Sequence, residues 1–419
     1  MHKLESIIIK NGGTILDRNT DAIRYHRSRE FIPYVYWDKD KQFPKYCKEE
    51  AKELLTEMMP RLCRTKQLDY DVFDIEWDIK YDFDGSPEEE AINIIETNKS
   101  IHIDGRAGTG KTYIVNKIID QLKERKIKFM CFSPTNKGAR LINGTTIHSI
   151  FYKFEKCKKS LCKLLENVKY IIIDEISMMC HDFYKLFILI KRVFPKMKFI
   201  ISGDFEQLPP VRDNWTGDYK NSAALHQLCD GRRTQLTICK RSDDILFNMC
   251  QNVDDINKYN FKIKEDTYKN IAYSHKTRMR VNQDCMHRFH KEFNYNFVEI
   301  NKDEKNPKSQ DIILCENMPI LCNKTHKKLN ILNSEIFKVH KLSTTHFTII
   351  NGAKEKIDID IKEFHKYFYP GFCITVYASQ GETYTDKYTI YDWNFEHFCN
   401  KAKYVAMSRS SHIDNIQIA

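Results

Sequence analysis

Four short and almost continuously apolar segments dominate residues 100–204, and each ends in polar residues: SIHIDG, IKFMCFSP, VKYIIIDE and MKFIISGD. Helical patterns lie between them. KTYIVNKIIDQLKERK places Ile114, Ile118 and Leu122 on one face, and DFYKLFILIKRVF follows the third segment. Apolar strands that alternate with helices are typical of a parallel sheet covered on both faces, so we predict an α/β fold. The polar residues of this sequence lie at the carboxyl ends of the strands, where the chemistry of such sheets gathers.

The 419 residues are enough for two to four domains. Residues 1–84 mix aromatic and charged side chains without a chemical motif, so we predict an accessory region of unknown role. The alternating pattern covers 85–230 and resumes in 231–295 and 369–419. Short β-like runs fill 296–368, which we interpret as a small β-rich insertion.

The formal net charge is +10, which suits a polyanionic partner but also fits a merely lysine-rich composition. None of the fourteen cysteines forms a C-x-x-C pair, and most sit in apolar runs, so we expect reduced core thiols rather than a zinc site. No apolar run approaches the roughly 18 residues of a membrane span, and MHKLESIIIKNGG lacks the apolar core of a signal peptide. We therefore expect an intracellular protein that is not secreted and has no membrane partner.

The stretch GRAGTGKT, at 105–112, fits the pattern G-x-x-x-x-G-K-[ST] between a predicted strand and a predicted helix. Its glycines let backbone N–H groups face phosphates, and the helix N-terminus adds its dipole. Lys111 supplies positive charge to the β and γ phosphates, and the Thr112 hydroxyl can ligate Mg²⁺. The predicted nucleotide-binding residues of this loop are Gly105, Ala107, Gly108, Thr109, Gly110, Lys111 and Thr112.

An acidic pair, Asp174 and Glu175, ends the strand YIIIDE. We expect this strand to lie beside the phosphate loop in the sheet. Asp174 can then hold Mg²⁺ together with Thr112, while Glu175 can orient and deprotonate a water. The two motifs together predict a nucleoside triphosphatase that uses ATP and Mg²⁺.

Further motifs follow in a fixed order: GTTIHSIF, DEISMM, GDFEQLPPV, SQGETY and YVAMSRS. This ordered set resembles the superfamily 1B helicases, specifically the Pif-type group with its RecD and Dda relatives. The resemblance covers residues from about 85 to 419. It implies two RecA-like domains that clamp ATP between them, the first at 85–230 with a short wedge-like insertion near 150–168. The second comprises 231–295 and 369–419, with an SH3-like insertion at 296–368.

The same resemblance implies roles for residues outside the phosphate loop. Gln207 corresponds to a residue that senses the γ phosphate or the attacking water. Arg241 and Arg409 correspond to arginine fingers, for which an ordinary surface ion pair is the alternative. Gln380 and Gly381 correspond to the loop that couples nucleotide to strand binding. The implied nucleic-acid contacts are Ser133, Thr135, Asn136, His148, Tyr377 and Ser379.

Three departures from the family pattern stand out. Tyr377 and Ala378 replace the usual His-Lys pair, which removes one phosphate contact but leaves an aromatic ring that can stack on a base. The adenine-reading glutamine is replaced by Glu88 or Glu89, so selectivity for ATP is open. The usual Asn-Gly turn of the insertion is Asn333-Ser334.

These observations predict an ATP-dependent DNA helicase that moves 5′ to 3′ on single-stranded DNA and unwinds forked DNA, with replication or repair proteins as further partners. The direction rests on the resemblance alone. Two alternatives stay open: an RNA helicase of the same superfamily, and a DNA-stimulated ATPase switch or loader that does not unwind. The expected location is the nucleus, the cytoplasm or a viral replication site.

Overall fold

The computed structural model describes residues 14–19, 22–26, 86–150, 158–211, 213, 217–253, 261, 263–351 and 354–419. Within the predicted accessory region, β1 (Thr14–Asn19) and β2 (Ala22–His26) pair as an antiparallel hairpin. The rest of residues 1–84 lies outside the described residues, and so do residues 151–157 of the predicted wedge-like insertion.

A six-stranded sheet carries the sequence motifs of the first alternating region. The strand order is β5-β4-β6-β7-β3-β8, and every pairing is parallel, as predicted. The strands are β3 (Ile101–Gly105), β4 (Phe129–Ser133), β5 (Thr145–Thr146), β6 (Tyr170–Ile173), β7 (Lys198–Gly203) and β8 (Arg233–Leu236). The edge strand β8 lies beyond residue 230, where we placed the domain boundary.

Helices cover both faces of this sheet, which explains the apolar character of its strands. Alternate residues point to opposite faces: Ile172 and Ile200 join the core beneath α3, whereas Ile171, Ile173 and Phe199 join the core beneath α6. Each such side chain contributes roughly 1.5–3 kcal/mol when fully buried. The helices are α1 (Pro87–Ile92), α2 (Ile94–Thr97), α3 (Lys111–Glu124), α4 (Asn136–Leu141), α5 (Lys158–Leu165), α6 (His181–Val193) and α7 (Ala223–Leu228).

The chain continues through α8 (Asp244–Met249), β9 (Asn270–Ala272) and α9 (His275–Phe293) into an antiparallel region. Here β10 (Phe297–Ile300) pairs with β11 (Ile312–Cys315). A five-stranded sheet follows in the order β15-β14-β13-β12-β16, with α10 (Phe364–Tyr367) before its last strand. Its strands are β12 (Pro319–Cys322), β13 (Ile336–Leu342), β14 (His346–Ile350), β15 (Lys356–Asp360) and β16 (Phe368–Pro370). The SH3-like character of this region stays a prediction.

A second parallel sheet is completed by the C-terminal residues. Its order is β17-β9-β18-β19, so β9 lies between strands that come about a hundred residues later in the chain. The elements are β17 (Cys373–Thr375), α11 (Val376–Ser379), β18 (Tyr388–Ile390), α12 (Asn400–Met407) and β19 (Ile416–Ile418). None of the helices in the described ranges is long and apolar enough to cross a membrane.

Candidate nucleotide site between the two parallel sheets

The phosphate loop leaves β3 at Gly105 and enters α3 at Lys111. Gly108 has φ +84°, and a Cβ there would lie 2.9 Å from the Cβ of Arg241 and 3.0 Å from the Sγ of Cys239. Only glycine fits both the backbone conformation and this close approach. The Lys111 ammonium is almost buried and donates to the carbonyls of Gly105 (2.7 Å) and Arg106 (3.0 Å). The Lys111 ammonium therefore lies directly against the backbone of the phosphate loop.

Thr112 and Asp174 meet as predicted for a metal-binding pair. The Thr112 hydroxyl donates to Oδ2 of Asp174 (3.0 Å), and the Ser202 hydroxyl on neighbouring β7 donates to Oδ1 (2.5 Å). Asp174 is 2% exposed, so its two oxygens are fixed from both sides. Hydroxyl and carboxylate oxygens are ligands that Mg²⁺ accepts, and this pair at the mouth of a phosphate loop fits that ion.

Glu175 follows in a left-handed backbone conformation, with φ 60° and ψ 42°. A non-glycine residue in this region costs on the order of 1–3 kcal/mol, and such strain clusters at functional sites. The Glu175 N–H donates to Oδ1 of Asp174 (3.0 Å), which helps to hold the turn. Burial, and then the charge of Asp174, raises the pKa of the Glu175 carboxyl, while Lys111 and Arg409 oppose that rise. A carboxylate with a raised pKa is suited to accept a proton.

Gln207 lies in the loop after β7 that we name the sensor loop (residues 204–208). Its Nε2 donates to Oδ2 of Asp204 (3.1 Å), and its side chain is buried. Gln380, which follows α11 on the second sheet, donates from Nε2 to Oε1 of Gln207 and to Oε2 of Glu175, each at 3.4 Å. Three predicted residues from distant parts of the sequence thus meet around one point.

The two predicted arginine fingers lie next to each other at the same cleft. The Arg241 Nη1 donates to the Ser408 carbonyl (3.3 Å), while Arg409 donates to the Val405 carbonyl (2.9 Å) and the Ser408 hydroxyl (3.0 Å). Burial, and then the charge of Arg409, lowers the pKa of Arg241 to about 10. Like charges held this close repel one another, and a bound polyphosphate would relieve that repulsion. The charge arrangement therefore fits an anionic nucleotide.

The six residues predicted to contact a nucleic-acid strand differ in exposure and in their contacts. Ser133 and Ser379 are fully buried, and the Ser379 hydroxyl donates to the Val376 carbonyl (2.8 Å). Tyr377 is 42% exposed. The other three have these contacts: the Thr135 hydroxyl caps α4 by accepting the Gly138 N–H, Asn136 donates to the Thr325 hydroxyl, and the rings of His148 and Phe183 form a T-shaped pair. Tyr377 and His148 are thus exposed, Thr135 and Asn136 are half-buried, and the two serines have no exposed surface.

The loop around Gly381 connects the two sheets. Gly381 has φ +77°, and a Cβ there would lie 3.1 Å from Cδ of Lys137 on α4. The Lys137 ammonium forms an ion pair with the neighbouring Glu382. The predicted coupling loop and a predicted strand-contacting helix therefore touch.

The two candidates for reading adenine differ in their contacts. Glu89 belongs to a capping box, in which its N–H donates to the Ser86 hydroxyl and its carboxylate accepts the Ser86 N–H. Glu88 forms an ion pair with Lys240 (3.2 Å), whose backbone N–H donates to the Gly108 carbonyl (2.8 Å). Glu88 is thus linked through Lys240 to the phosphate loop, whereas the Glu89 carboxylate caps the N-terminus of α1.

Sequence reasoning missed Tyr404 on α12. Its hydroxyl accepts the Ala107 N–H of the phosphate loop and donates to Asp204 of the sensor loop, at 2.7 Å each. The sequence could have indicated this residue, because Tyr404 is the first residue of the motif YVAMSRS, which also contains Arg409.

Parts of the chain are similar to known proteins. A family model described as an AAA domain matches residues 88–213. The ATP-dependent DNA helicase Pif1 of Psychrobacter sp. is 34% identical over 143 residues, which are 29% of this chain and 21% of the relative. The Pif1 helicase of Bdellovibrio bacteriovorus is 26% identical over 182 residues, covering 39% of this chain and 41% of the relative. The chain thus spans well under half the length of these curated relatives.

A solved structure of Bacteroides Pif1 bound to ssDNA superposes with a TM-score of 0.60 at 19% identity. The likeness covers 79% of this chain and 91% of that one, so it extends over both parallel sheets and shows a shared fold. The chain therefore has the same fold as that Pif1 protein. Within this fold, the nucleotide motifs lie on the first sheet and its loops, whereas SQGETY begins at the end of α11 and YVAMSRS begins on α12, both beside the second sheet.

Proposed function

We propose that this protein is an ATP-dependent DNA helicase that moves 5′ to 3′ along single-stranded DNA and separates the strands of forked DNA. One observation carries the proposal. Gln380, from the second parallel sheet, donates to both Glu175 and Gln207 on the first, so the proposed hydrolytic residues of one sheet contact a residue of the other across the cleft. Nucleotide chemistry can then be converted into relative movement of the two sheets.

In the proposed mechanism, Lys111 and the amides of the phosphate loop hold the β and γ phosphates, and Thr112 with Asp174 would hold Mg²⁺. The ion would neutralise charge on the phosphates when bound. Glu175 orients the attacking water and accepts its proton. Gln207 positions the same water or the γ phosphate, because an amide both donates and accepts.

Arg241 and Arg409 supply positive charge to the γ phosphate as its bond to the β phosphate breaks. They make this contact only when the cleft is closed, so bound ATP favours closure. Loss of the γ phosphate removes the contact, and the cleft opens. In the proposed cycle, α4 with Asn136 on one side of the cleft and Tyr377 on the other bind the DNA strand alternately. Each closure of the cleft then moves the protein one step along the DNA.

DNA is the proposed substrate for two reasons. The fold matches that of a Pif1 protein solved with ssDNA, and the formal net charge of +10 favours a polyanion. Small polar groups contact the phosphate backbone without reading the sequence, which suits a motor that must pass every base. The ten free cysteines among the described residues fit a reducing intracellular compartment.

A fork-unwinding assay beside an ATPase assay tests the proposal. We expect ATP-dependent release of the labelled strand from a fork with a 5′ single-stranded tail, and little release from a fork that has only a 3′ tail. Unwinding of RNA forks alone would instead indicate an RNA helicase. DNA-stimulated turnover without release from any fork would indicate a switch or loader. The Arg409→Ala variant, prepared identically, excludes contaminating helicases.

Binding to single-stranded DNA should weaken steeply with salt and depend little on base sequence. Each phosphate that the protein neutralises releases counterions, with a slope in log Kd against log salt of about 0.7 per phosphate on single strands. Titrations of unrelated oligonucleotides at several salt concentrations measure both effects. A flat salt response, or strong preference for one sequence, contradicts a translocating motor.

A further inference from the structure

Tyr404 is a buried contact between the two sheets that the proposed mechanism does not use. It lies on α12 beside the second sheet and is 3% exposed. Its hydroxyl reaches across the cleft, where it accepts the Ala107 N–H (2.7 Å) and donates to Oδ2 of Asp204 (2.7 Å). One phenol group thus joins the phosphate loop, the sensor loop and the second sheet.

The chemistry of the phenol suits this position. A phenol hydroxyl carries one donor, and here that donor goes to Asp204 while the oxygen accepts the Ala107 N–H. Burial, and then the charge of Asp204, raises the pKa of Tyr404 well above its usual value, so the hydroxyl keeps its proton at neutral pH. The Arg106 guanidinium lies 4.8 Å from the centre of the ring and covers one face. The ring is therefore held independently of its hydroxyl.

The same helix anchors the sensor loop a second time. Lys401, one turn before Tyr404, donates to the Phe205 carbonyl (2.7 Å). Asp204 in turn accepts both the Tyr404 hydroxyl and Nε2 of Gln207 on the same oxygen, while its other oxygen accepts the Glu206 N–H. The direction in which Gln207 points thus depends on a carboxylate that Tyr404 holds.

We infer that the Tyr404 hydroxyl is a positioning group, which fixes the phosphate loop and the Gln207 amide in register with each other and with the second sheet. The Tyr404 hydroxyl bonds to Asp204 and Ala107, so it acts through these two residues. The predicted effect of the Tyr404 hydroxyl on ATP turnover rests on the proposed function. The predicted effect on the two loops does not, because it depends only on the hydrogen bonds of the Tyr404 hydroxyl to Ala107 and Asp204.

The test compares Tyr404→Phe with Tyr388→Phe. Tyr388 is fully buried on β18, and its hydroxyl donates to the carbonyls of Ala406 (2.8 Å) and Met407 (3.2 Å) on the same helix α12. Both variants lose a buried phenol hydroxyl that ties α12 to a neighbouring element, but only the Tyr404 hydroxyl bonds to loops of the first sheet. Both should lower Tm through the lost hydrogen bonds.

We expect Tyr404→Phe to lower DNA-stimulated kcat per folded molecule by about tenfold, with KM for ATP changed by less than about twofold. The loss falls on kcat because the variant keeps the phosphate-binding amides and loses the alignment needed in the transition state. Tyr388→Phe should keep the parental kcat. A merely structural role for Tyr404 would lower Tm and leave kcat per folded molecule unchanged, which overturns the inference.

Amide hydrogen exchange of the nucleotide-free protein gives a second readout. In Tyr404→Phe, peptides that contain residues 106–110 and 204–208 should exchange at least about fivefold faster than in the parent, whereas Tyr388→Phe should leave them unchanged. Equal exchange in the two variants overturns the inference even if the parent shows no DNA-stimulated turnover. In that case the missing turnover counts separately against the proposed function. Faster exchange with an unchanged kcat also overturns the positioning role.

Discussion

Arg409→Ala should lower strand-stimulated ATP turnover by roughly 10³- to 10⁵-fold, the range that arginine fingers contribute in phosphoryl transfer. Arg409 lies 2% exposed at the cleft, and it is among the charges that act on the pKa of Glu175. In the proposed mechanism its charge contacts the γ phosphate in the closed cleft, and this contact strengthens most as charge develops in the transition state. The loss should therefore fall on kcat, and a fluorescent nucleotide analogue should bind with nearly parental affinity.

Arg278→Ala is the matched control for this variant. Arg278 is 1% exposed on α9, donates to the Lys308 carbonyl and stacks on Tyr369, so its loss disturbs the folded chain to a similar degree. It contacts none of the nucleotide motifs described above. We expect Arg278→Ala to lower Tm and keep kcat per folded molecule. Equal turnover in the two variants would mean that Arg409 is an ordinary buried arginine.

Glu175→Gln should bind ATP and lose hydrolysis, with turnover lower by roughly 10²- to 10⁴-fold. Glutamine keeps the shape of the side chain and the left-handed backbone, but it cannot accept a proton from water. Glu206→Gln provides the control, since Glu206 is an exposed carboxylate in the sensor loop with only a 4.0 Å ion pair to Arg106. Parental hydrolysis by Glu175→Gln would show that another group is the general base.

The pH profile of turnover offers an independent check on Glu175. Its pKa is raised above the usual value of 4.5, mainly by burial, and the general base must be ionised to act. Turnover should therefore fall as the pH drops through this raised pKa, so the acid limb lies above the usual range of a glutamate. The residual turnover of Glu175→Gln should lack that limb.

Much of the first sheet was predictable because its signals are local. An apolar run followed by a polar residue is a property of four to eight neighbouring positions, and a buried parallel strand has no polar face to interrupt it. The motif GRAGTGKT likewise predicts the geometry of a phosphate loop from neighbouring residues alone. Its glycines permit the backbone conformation of the loop, and its lysine follows the last glycine directly. The expectation that the strand before Asp174 lies beside the phosphate loop was wrong, because β7 separates β6 from β3; Thr112 still meets Asp174 because both parallel strands end at the same edge of the sheet.

Other features required the folded chain. Strand β8, with Arg233, joins the first sheet at its edge beside β3, although the pattern placed the boundary before it. Glu89 resembles a base-reading residue in position, but the capping box of α1 uses its carboxylate. Ser133 and Ser379 are of a residue type that often contacts a nucleic-acid backbone, but in the folded chain both are fully buried. Burial and capping depend on neighbours that the local pattern does not include.

The sequence by itself determined the α/β class, the phosphate loop, the acidic pair and the order of motifs, because each depends on residues a few positions apart. Only the tertiary structure decided which side chains meet across the cleft. Tyr404 bonds to Ala107 from 297 residues away, and Gln380 reaches Gln207 from 173 residues away. Such contacts depend on how two separately built sheets pack, and side-chain periodicity within a strand or helix carries no information about that packing.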